Sequence, residues 1–490
     1  MDKNFIARFL KGSISTSTGT IVTVVFHFLS ITIMTRYVAP EALGLYFLVL
    51  ATAMFFKILS NLGLDLTLVK FLSNEDESEK QETMTVILMT RFIVLTVLSL
   101  IVYFGGNLIL PLLGEGMEPY VLFIPFIFVG HSVREMFLHL MQGLQQFKNH
   151  AILQVVSAIF KFALVFIYLE QLSLVALLNI ELAMLGLSII MQLWMVPFRQ
   201  LGFFDLKFGN GTFKRVITFG FPLYYTSILT IGYDKSSVFL INFYLDPLSI
   251  ALYEVALKIP DGFMRIFRSF ITVYFPSISS LFAQKQEQEA IKVMNKSLGI
   301  FSLAITALCV GAFLFGREIV TLLFSDQYSS VYLAFAFMMI GVYLRVIANI
   351  LGYSLVSANY PSTSSKVNTL SVIVYLVSSV LMIRSIGYIG AVFAFIIMNS
   401  SAIVSYYLYL RYYKIAPNML TFIRPTVIGL LVGVVLWFMP PQTFLMKSAY
   451  FAVYVALSAF FVPEFKELAQ LSITMMSKVS QRFGTATKPV

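Results

Sequence analysis

The sequence predicts an all-α membrane protein of about 14 transmembrane helices, arranged as two pseudo-symmetric six-helix lobes around a central cavity with two further helices at the C-terminal end. Three observations predict it. Of the 490 residues 59% are apolar and 12% charged, with a mean hydropathy of +0.86. In water such a chain would expose more apolar surface than a monomer tolerates, whereas lipid covers it. The apolar residues fall in successive stretches of about 20, the length a helix needs to cross a hydrocarbon core of about 30 Å. Finally, a short motif recurs at the corresponding place in each half of the span order.

Six spans are read at residues 14–38, 42–68, 84–113, 119–142, 150–170 and 172–196. A polar connector, 198–214, leads to six more at 215–244, 248–282, 290–316, 328–358, 362–385 and 388–411, and two at 420–439 and 443–462 close the series. The domain boundaries that follow are an N-terminal lobe 1–197, the connector, a C-terminal lobe 215–415, a helix pair 416–465 and a tail 466–490. The run from Ile14 continues into a full span without a small-residue cleavage site, so it reads as a retained first span and not as a signal peptide.

Charge sets the orientation. With both termini cytoplasmic, the loops on that side carry 22 Lys and Arg residues, Lys70, Arg91, Lys214 and Arg215 among them, and the outer loops carry four, Arg36, Arg317, Arg384 and Lys447. That asymmetry obeys the positive-inside rule and predicts a cell-membrane protein with both ends inside; the acidic stretch Glu75 to Glu82 weighs little in it. The formal charge of +10 is spread over short loops and is not a basic face with interleaved aromatics, so nucleic acid is not a predicted partner. The single Cys309 excludes an intrachain disulfide framework. No loop exceeds about 17 residues and no phosphate-binding GxxxxGK[ST] sequence occurs, which leaves no room for a nucleotide-binding or catalytic domain. The histidines His27, His131, His139 and His150 lack metal-ligand spacing, and no cofactor is predicted.

The repeated motif is Tyr37-Val-Ala-Pro40-Glu-Ala-Leu-Gly-Leu45-Tyr46 and Tyr244-Leu-Asp-Pro247-Leu-Ser-Ile-Ala-Leu252-Tyr253, with Tyr, Pro, Leu and Tyr in register at an offset of 207. Each copy falls at the outer turn between the first and second span of a six-span block. Six being even, both blocks enter the membrane the same way, as in a parallel repeat. Each proline can open a helix, where its missing backbone donor costs nothing.

Ionisable residues inside spans are costly and face a partner or water. Those at issue are Lys57, Asp65, Arg134, Glu135, Lys161, Glu181, Asp234, Lys235, Glu254, Lys258, Asp261, Arg265, Arg268 and Arg345. On span eight, Glu254, Lys258, Asp261, Arg265 and Arg268 fall within an arc of about 80° and along about 21 Å of helix. Such a stripe belongs against a cavity; alternatively Glu254 with Lys258 and Asp261 with Arg265 pair along the helix, and Arg268 remains. Pro260 lies within that helix and can kink it. Lys57, Asn61 and Asp65 share a face of span two. The cavity cations expected to bind substrate are Lys57, Arg134, Lys161, Lys258, Arg265, Arg268 and Arg345; the carboxylates placed for coupling to H+ or Na+ are Asp65, Asp234, Glu254 and Asp261.

The run Arg36-Tyr-Val-Ala-Pro40-Glu-Ala-Leu-Gly44, with Gly63-Leu64 and Lys70, resembles the opening of prokaryotic polysaccharide flippases of the multidrug, oligosaccharidyl-lipid and polysaccharide exporter superfamily. Phe221-Pro222, Asp234-Lys235, Leu252-Tyr253 with Ala256, Phe275-Pro276, Leu323-Phe324 and Tyr328 are similar to later parts of that family, so the resemblance spans about residues 1–460. It implies a transporter, not an enzyme, that moves a polyprenyl-pyrophosphate-linked oligosaccharide to the outer leaflet by alternating access, with a glycan polymerase or export machinery as partner. Arg and Lys suit a pyrophosphate. The alternative on the same fold is a cation-coupled small-molecule or drug antiporter. A glycan polymerase would call for a sizeable outer loop, and a passive scaffold leaves the charge stripe unexplained.

Overall fold

The computed structural model describes residues 3–74, 77–106, 113, 116–196, 211–439 and 441–465, with the side chains of all but 3–18, 73, 74, 77, 78 and 437. Most of the expected connector and the whole of the expected tail lie outside the described residues. Sixteen α-helices are formed among those that are described: α1 Lys3–Tyr37, α2 Pro40–Asn61, α3 Leu64–Asn74, α4 Glu77–Phe104, α5 Phe123–Gly143, α6 Phe147–Ile167, α7 Leu174–Met195, α8 Thr212–Asp234, α9 Ser236–Tyr244, α10 Pro247–Ala283, α11 Glu287–Phe324, α12 Tyr332–Ser357, α13 Pro361–Ile386, α14 Ile389–Tyr412, α15 Leu420–Phe438 and α16 Phe444–Phe461. The protein is an all-helical, multi-pass membrane protein.

Twelve of the described helices are long and apolar enough to cross a bilayer. The other two expected spans are α5 and α15. Helix α5 runs for 21 residues but carries His131, Arg134, Glu135 and His139; α15 is 19 residues long, with Arg424 and Pro425 in its second turn. Two expected spans are each split into two helices. Span two breaks between α2 and α3, where Leu62 and Gly63 take left-handed backbone angles, φ 50° and 74°. Span seven breaks at Lys235, between α8 and α9.

Backbone groups freed by a break in hydrocarbon need side-chain partners. Around Leu62 they have them: Tyr224 OH donates to the Leu59 carbonyl at 3.2 Å, Thr67 Oγ1 to the Gly63 carbonyl at 2.8 Å, and the Asp65 amide to Asn61 Oδ1 at 3.2 Å. Glycine is required at 63 on two counts. Its φ is positive, and a Cβ there would stand 2.8 Å from the carbonyl carbon of Gly220 on α8.

The chain divides by contacts into two compact units: Met1–Lys258 with Leu323–Tyr328 and Leu376–Ala391, and Ile259–Leu322 with Ser329–Tyr375 and Val392–Val490. The boundary cuts α10 beside Pro260, whose ring removes one bond of the helix ladder.

In the first unit α5 is the central helix, packed by α2, α3, α4, α6 and α7, while α1 lies along α6. One core there joins Leu64, Leu68 and Leu72 of α3 to Met84 and Ile87 of α4, Phe137 and Met141 of α5, and Val216 of α8. The two copies of the repeated motif meet in this unit. Helix α2 begins at Pro40 and α10 at Pro247, and Gly44 lies so close to Pro247 that a Cβ on it would stand 2.6 Å from the proline's carbonyl carbon.

In the second unit α12 is buried along most of its length. A separate core seats the last two helices on α11, joining Leu303, Val310 and Leu314 to Ile428 and Val432 of α15 and Tyr454 of α16.

Candidate functional site: charged clusters within the membrane helices

A central helix touching five others cannot turn polar residues to lipid, so the charges of α5 must meet partners on its neighbours. They do. Glu181 on α7 is 3% exposed and has both carboxylate oxygens engaged. Lys161 Nζ on α6 donates to Oε2 at 2.6 Å, Tyr46 OH on α2 donates to the same oxygen at 3.1 Å, and His131 Nε2 on α5 lies 3.1 Å from Oε1. Lys161 also donates to Tyr46 OH at 3.0 Å. Four helices are thereby tied through one carboxylate.

A second pair, Lys57 with Glu135, ties two of these helices, α2 and α5, again. A third joins Arg91 on α4 to Asp65 on α3 at 3.7 Å. Arg91 is 1% exposed, and its three side-chain nitrogens are buried without hydrogen-bond partners. The expectation that Arg91 belongs to a cytoplasmic loop is corrected: it lies in the middle of α4, where burial opposite Asp65 serves its charge better than a lipid-facing position would.

At the start of α10, Glu254 receives Lys258 at 2.5 Å and Lys235 at 3.7 Å, and Lys258 Nζ stands 4.4 Å over the ring of Phe47. The Phe47 ring is 5.6 Å from that of Tyr46. The spacing-of-four pair therefore forms at Glu254 and Lys258. Arg265, the partner by spacing of Asp261, is exposed and joined to no ion pair among the described residues, and the same holds for Arg268.

Pairing leaves a surplus in the first unit. The carboxylates of Asp65, Glu135, Glu181 and Glu254 face six cations, Lys57, Arg91, Arg134, Lys161, Lys235 and Lys258. Those four carboxylates are two fewer than the six cations, and two of the cations, Lys235 and Lys258, share Glu254. Arg134 Nε is buried without a partner, while the Arg134 carbonyl accepts from Gln192 Nε2 at 2.7 Å. Asp234 is exposed at the end of α8.

In the second unit Arg345 on α12 is half-buried, its guanidinium 5.6 Å from the Phe395 ring of α14. Asp261, Arg265 and Arg268 are exposed along one face of α10, which continues through Ser269 and Thr272. The expected cations thus fall into two kinds: Lys57, Lys161 and Lys258 are held by carboxylates, and Arg265 and Arg268 are open.

Tyr46 and His131 were not among the expected site residues. Tyr46 stands out in the sequence only as a repeat position, and His131 is one of four histidines without metal spacing. A sequence signal for the tetrad exists in the four ionisable or phenolic groups at similar depths of spans two, four, five and six, but it does not say which partner each takes.

The family described as "Polysaccharide biosynthesis protein" matches residues 9–282. A curated relative, the "Probable low-salt glycan biosynthesis flippase Agl15" of Haloferax volcanii, is 23% identical over 173 residues, 35% of this chain. The match spans 37% of that relative's length. Among solved structures, "Lipid II flippase MurJ, inward closed conformation" is similar with a TM-score of 0.71 at 14% identity, over 92% of this chain and 98% of that one. An "inward-facing conformation of a multidrug resistance MATE family transporter" follows the same fold with a TM-score of 0.65 at 13% identity, over 82% of this chain and 98% of that one.

Proposed function

The chain belongs to the polysaccharide biosynthesis protein family, and from that membership we propose that it flips a polyprenyl-pyrophosphate-linked oligosaccharide from the cytoplasmic to the outer leaflet of the cell membrane by alternating access. It acts as a transporter and not as an enzyme. Both termini face the cytoplasm, and a glycan polymerase or export machinery takes the product on the outer side.

The observation that carries the reading is the exposed half of the α10 stripe. Arg265 and Arg268 stand within a membrane-crossing helix without counter-ions among the described residues, an arrangement that hydrocarbon would penalise by about 2.5 kcal/mol or more per charge at its centre. A wet path relieves that penalty, and a pyrophosphate supplies the missing negative charge through bidentate hydrogen bonds. Arg134 adds a surplus cation in the first unit. Lys57, Lys161 and Lys258, which already hold carboxylates, set the potential around the path, with Arg345 contributing from α12. Coupling to H+ or Na+ falls to the carboxylates Asp65, Asp234, Glu254 and Asp261, of which Asp234 and Asp261 are exposed and Asp65 and Glu254 buried.

The antiporter reading draws on the multidrug transporter of like fold. Cation surplus opposes it, because a binder of organic cations needs open carboxylates in excess.

The test is a deletion strain of the native host in which lipid-linked glycan is quantified on each membrane face. Accumulation on the cytoplasmic face, relieved by the wild-type gene and not by Arg268→Ala or Arg265→Ala, supports the proposal. Each charge-assisted contact is worth about 1.5–3 kcal/mol, so each variant should slow export by about 10- to 100-fold while inserting normally. Normal export in the deletion strain, or full activity of both variants, would refute it.

A further inference from the structure

From Gln327 to Pro463 the sequence holds seven Lys and Arg residues and no Asp or Glu. A cation in this stretch has no carboxylate of its own segment to pair with. Three of the seven, Lys366, Arg411 and Lys414, lie where α13 begins and α14 ends. All three are exposed and joined to no ion pair among the described residues.

At that end a groove of about 490 Å³ opens between the two helices, within the second unit. Lys366 and Leu370 of α13 line one side, and Ser405, Leu408, Tyr409 and Tyr412 of α14 the other. Lys366 is the charged group of this lining. Side-chain contacts tie the two helices together here. Tyr406 OH donates to Asn368 Oδ1 at 2.8 Å and lies 3.2 Å from Ser364 Oγ. Tyr360 and Tyr413, just before α13 and just after α14, stack with their centroids 3.6 Å apart and their planes at 13°. The two walls are thereby held in register.

From the lysine the groove runs into an apolar track. Leu370 and Ile373 follow Lys366 by four and seven residues on one face of α13, and Val404 and Leu408 precede Tyr412 by eight and four on one face of α14. All four apolar side chains are exposed. Both helices are long and apolar enough to cross a bilayer. A lysine at the head of exposed aliphatic side chains, with phenols beside it, matches the two-part chemistry of a phospholipid at the membrane interface.

We propose that this groove holds an anionic phospholipid of the leaflet, with its phosphate on the Lys366 ammonium beside the Tyr409 and Tyr412 phenols and an acyl chain along Leu370, Ile373, Leu408 and Val404. Charge selects the class. A zwitterionic headgroup would bring a second cation to a groove without a carboxylate, and a pyrophosphate-linked carrier would bring two negative charges to one lysine. An anionic phosphodiester brings one. In the orientation proposed above the groove lies in the cytoplasmic leaflet.

The test uses the full-length protein with Val404→Trp as a fluorescent probe and both native tryptophans replaced, as Trp194→Phe and Trp437→Phe, in vesicles of phosphatidylcholine and phosphatidylglycerol. Val404 lies one turn from Leu408 and outside the groove lining. Bromine on the acyl chains of one lipid at a time quenches the probe when that lipid lies beside it. Phosphatidylglycerol should occupy the site about 5-fold more favourably than phosphatidylcholine, the factor that one lysine at a lipid surface contributes. Lys366→Gln should bring the ratio to about 1, and Lys366→Arg should keep it, which separates loss of charge from loss of fold. Equal quenching by the two lipids in the parent, or a preference unchanged by Lys366→Gln, would overturn the site. So would quenching by neither lipid, which marks a face covered by a second copy of the chain, and so would displacement of brominated phosphatidylglycerol by undecaprenyl pyrophosphate at low mole fraction, which gives the groove to the carrier. The transport proposal is tested separately, by glycan accumulation.

Discussion

The contact between the two copies of the repeated motif can be broken by one methyl group. Gly44→Ala would place a Cβ 2.6 Å from the carbonyl carbon of Pro247 and closer still to its oxygen, whereas ordinary contact begins at 3.4 Å. Helices α2 and α10 would have to part by about 0.8 Å or more, 3.4 less 2.6, at this point. Neither side gives easily, for both are backbone, Gly44 in the second turn of α2 and Pro247 at the first position of α10. Overpacking of this kind costs about 1–3 kcal/mol. A conformation in which the motifs touch then loses a factor of about 5 to 150 in population against one in which they are apart. The assay is a spin-label distance between Tyr37→Cys, at the first residue of one motif, and Phe243→Cys, just before the other, both exposed positions, in a Cys309→Ser background. Gly44→Ala should add a longer-distance component. A distance distribution that superimposes on the parent's, together with an unchanged unfolding temperature, would show that the contact does not hold the two motifs and would refute the reasoning.

Two further predictions concern the buried pairs. Glu181→Ala leaves Lys161 beside Tyr46 and His131 with no carboxylate, which should cost about 3–5 kcal/mol and lower the unfolding temperature in detergent; Lys161→Met in the same chain should recover most of the loss. Arg91→Ala strands Asp65 in the same way, so it should express poorly and unfold early, and adding Asp65→Asn should restore it. Recovery failing in both double variants would mean that the pairs do more than neutralise each other.

The helical membrane class and the place of twelve of the fourteen expected spans were legible because bilayer thickness forces a length and a hydropathy on every crossing. The break at Leu62 and Gly63 was not. A reading over some 20 residues is blind to two left-handed residues, and a lone glycine is common in membrane helices. Arg91 shows a related failure. A cation seven residues into an apolar run looks like the edge of a loop, and only the neighbouring Asp65 explains its burial. In the site, periodicity on a single helix found Glu254 with Lys258, since both lie on α10. It could not find Glu181 with Lys161, or Lys57 with Glu135, because those partners come from different helices and depend on how α5 is surrounded.

That difference separates two uses of intramembrane charge. Around α5, every carboxylate lies opposite a cation from another helix, so each pair costs desolvation and returns a fixed helix arrangement; Tyr46 and His131 complete the hydrogen bonding that such burial demands. Along the second half of α10 the arginines have no such partner among the described residues and keep their exposure. A buried pair resists any conformational change that parts its helices, whereas an open arginine gains most when an anion arrives. Substitutions around α5 should therefore act first on stability, and substitutions at Arg265 and Arg268 first on transport. A variant of the first class that loses transport at full stability would assign Glu181 or Glu135 to the path itself.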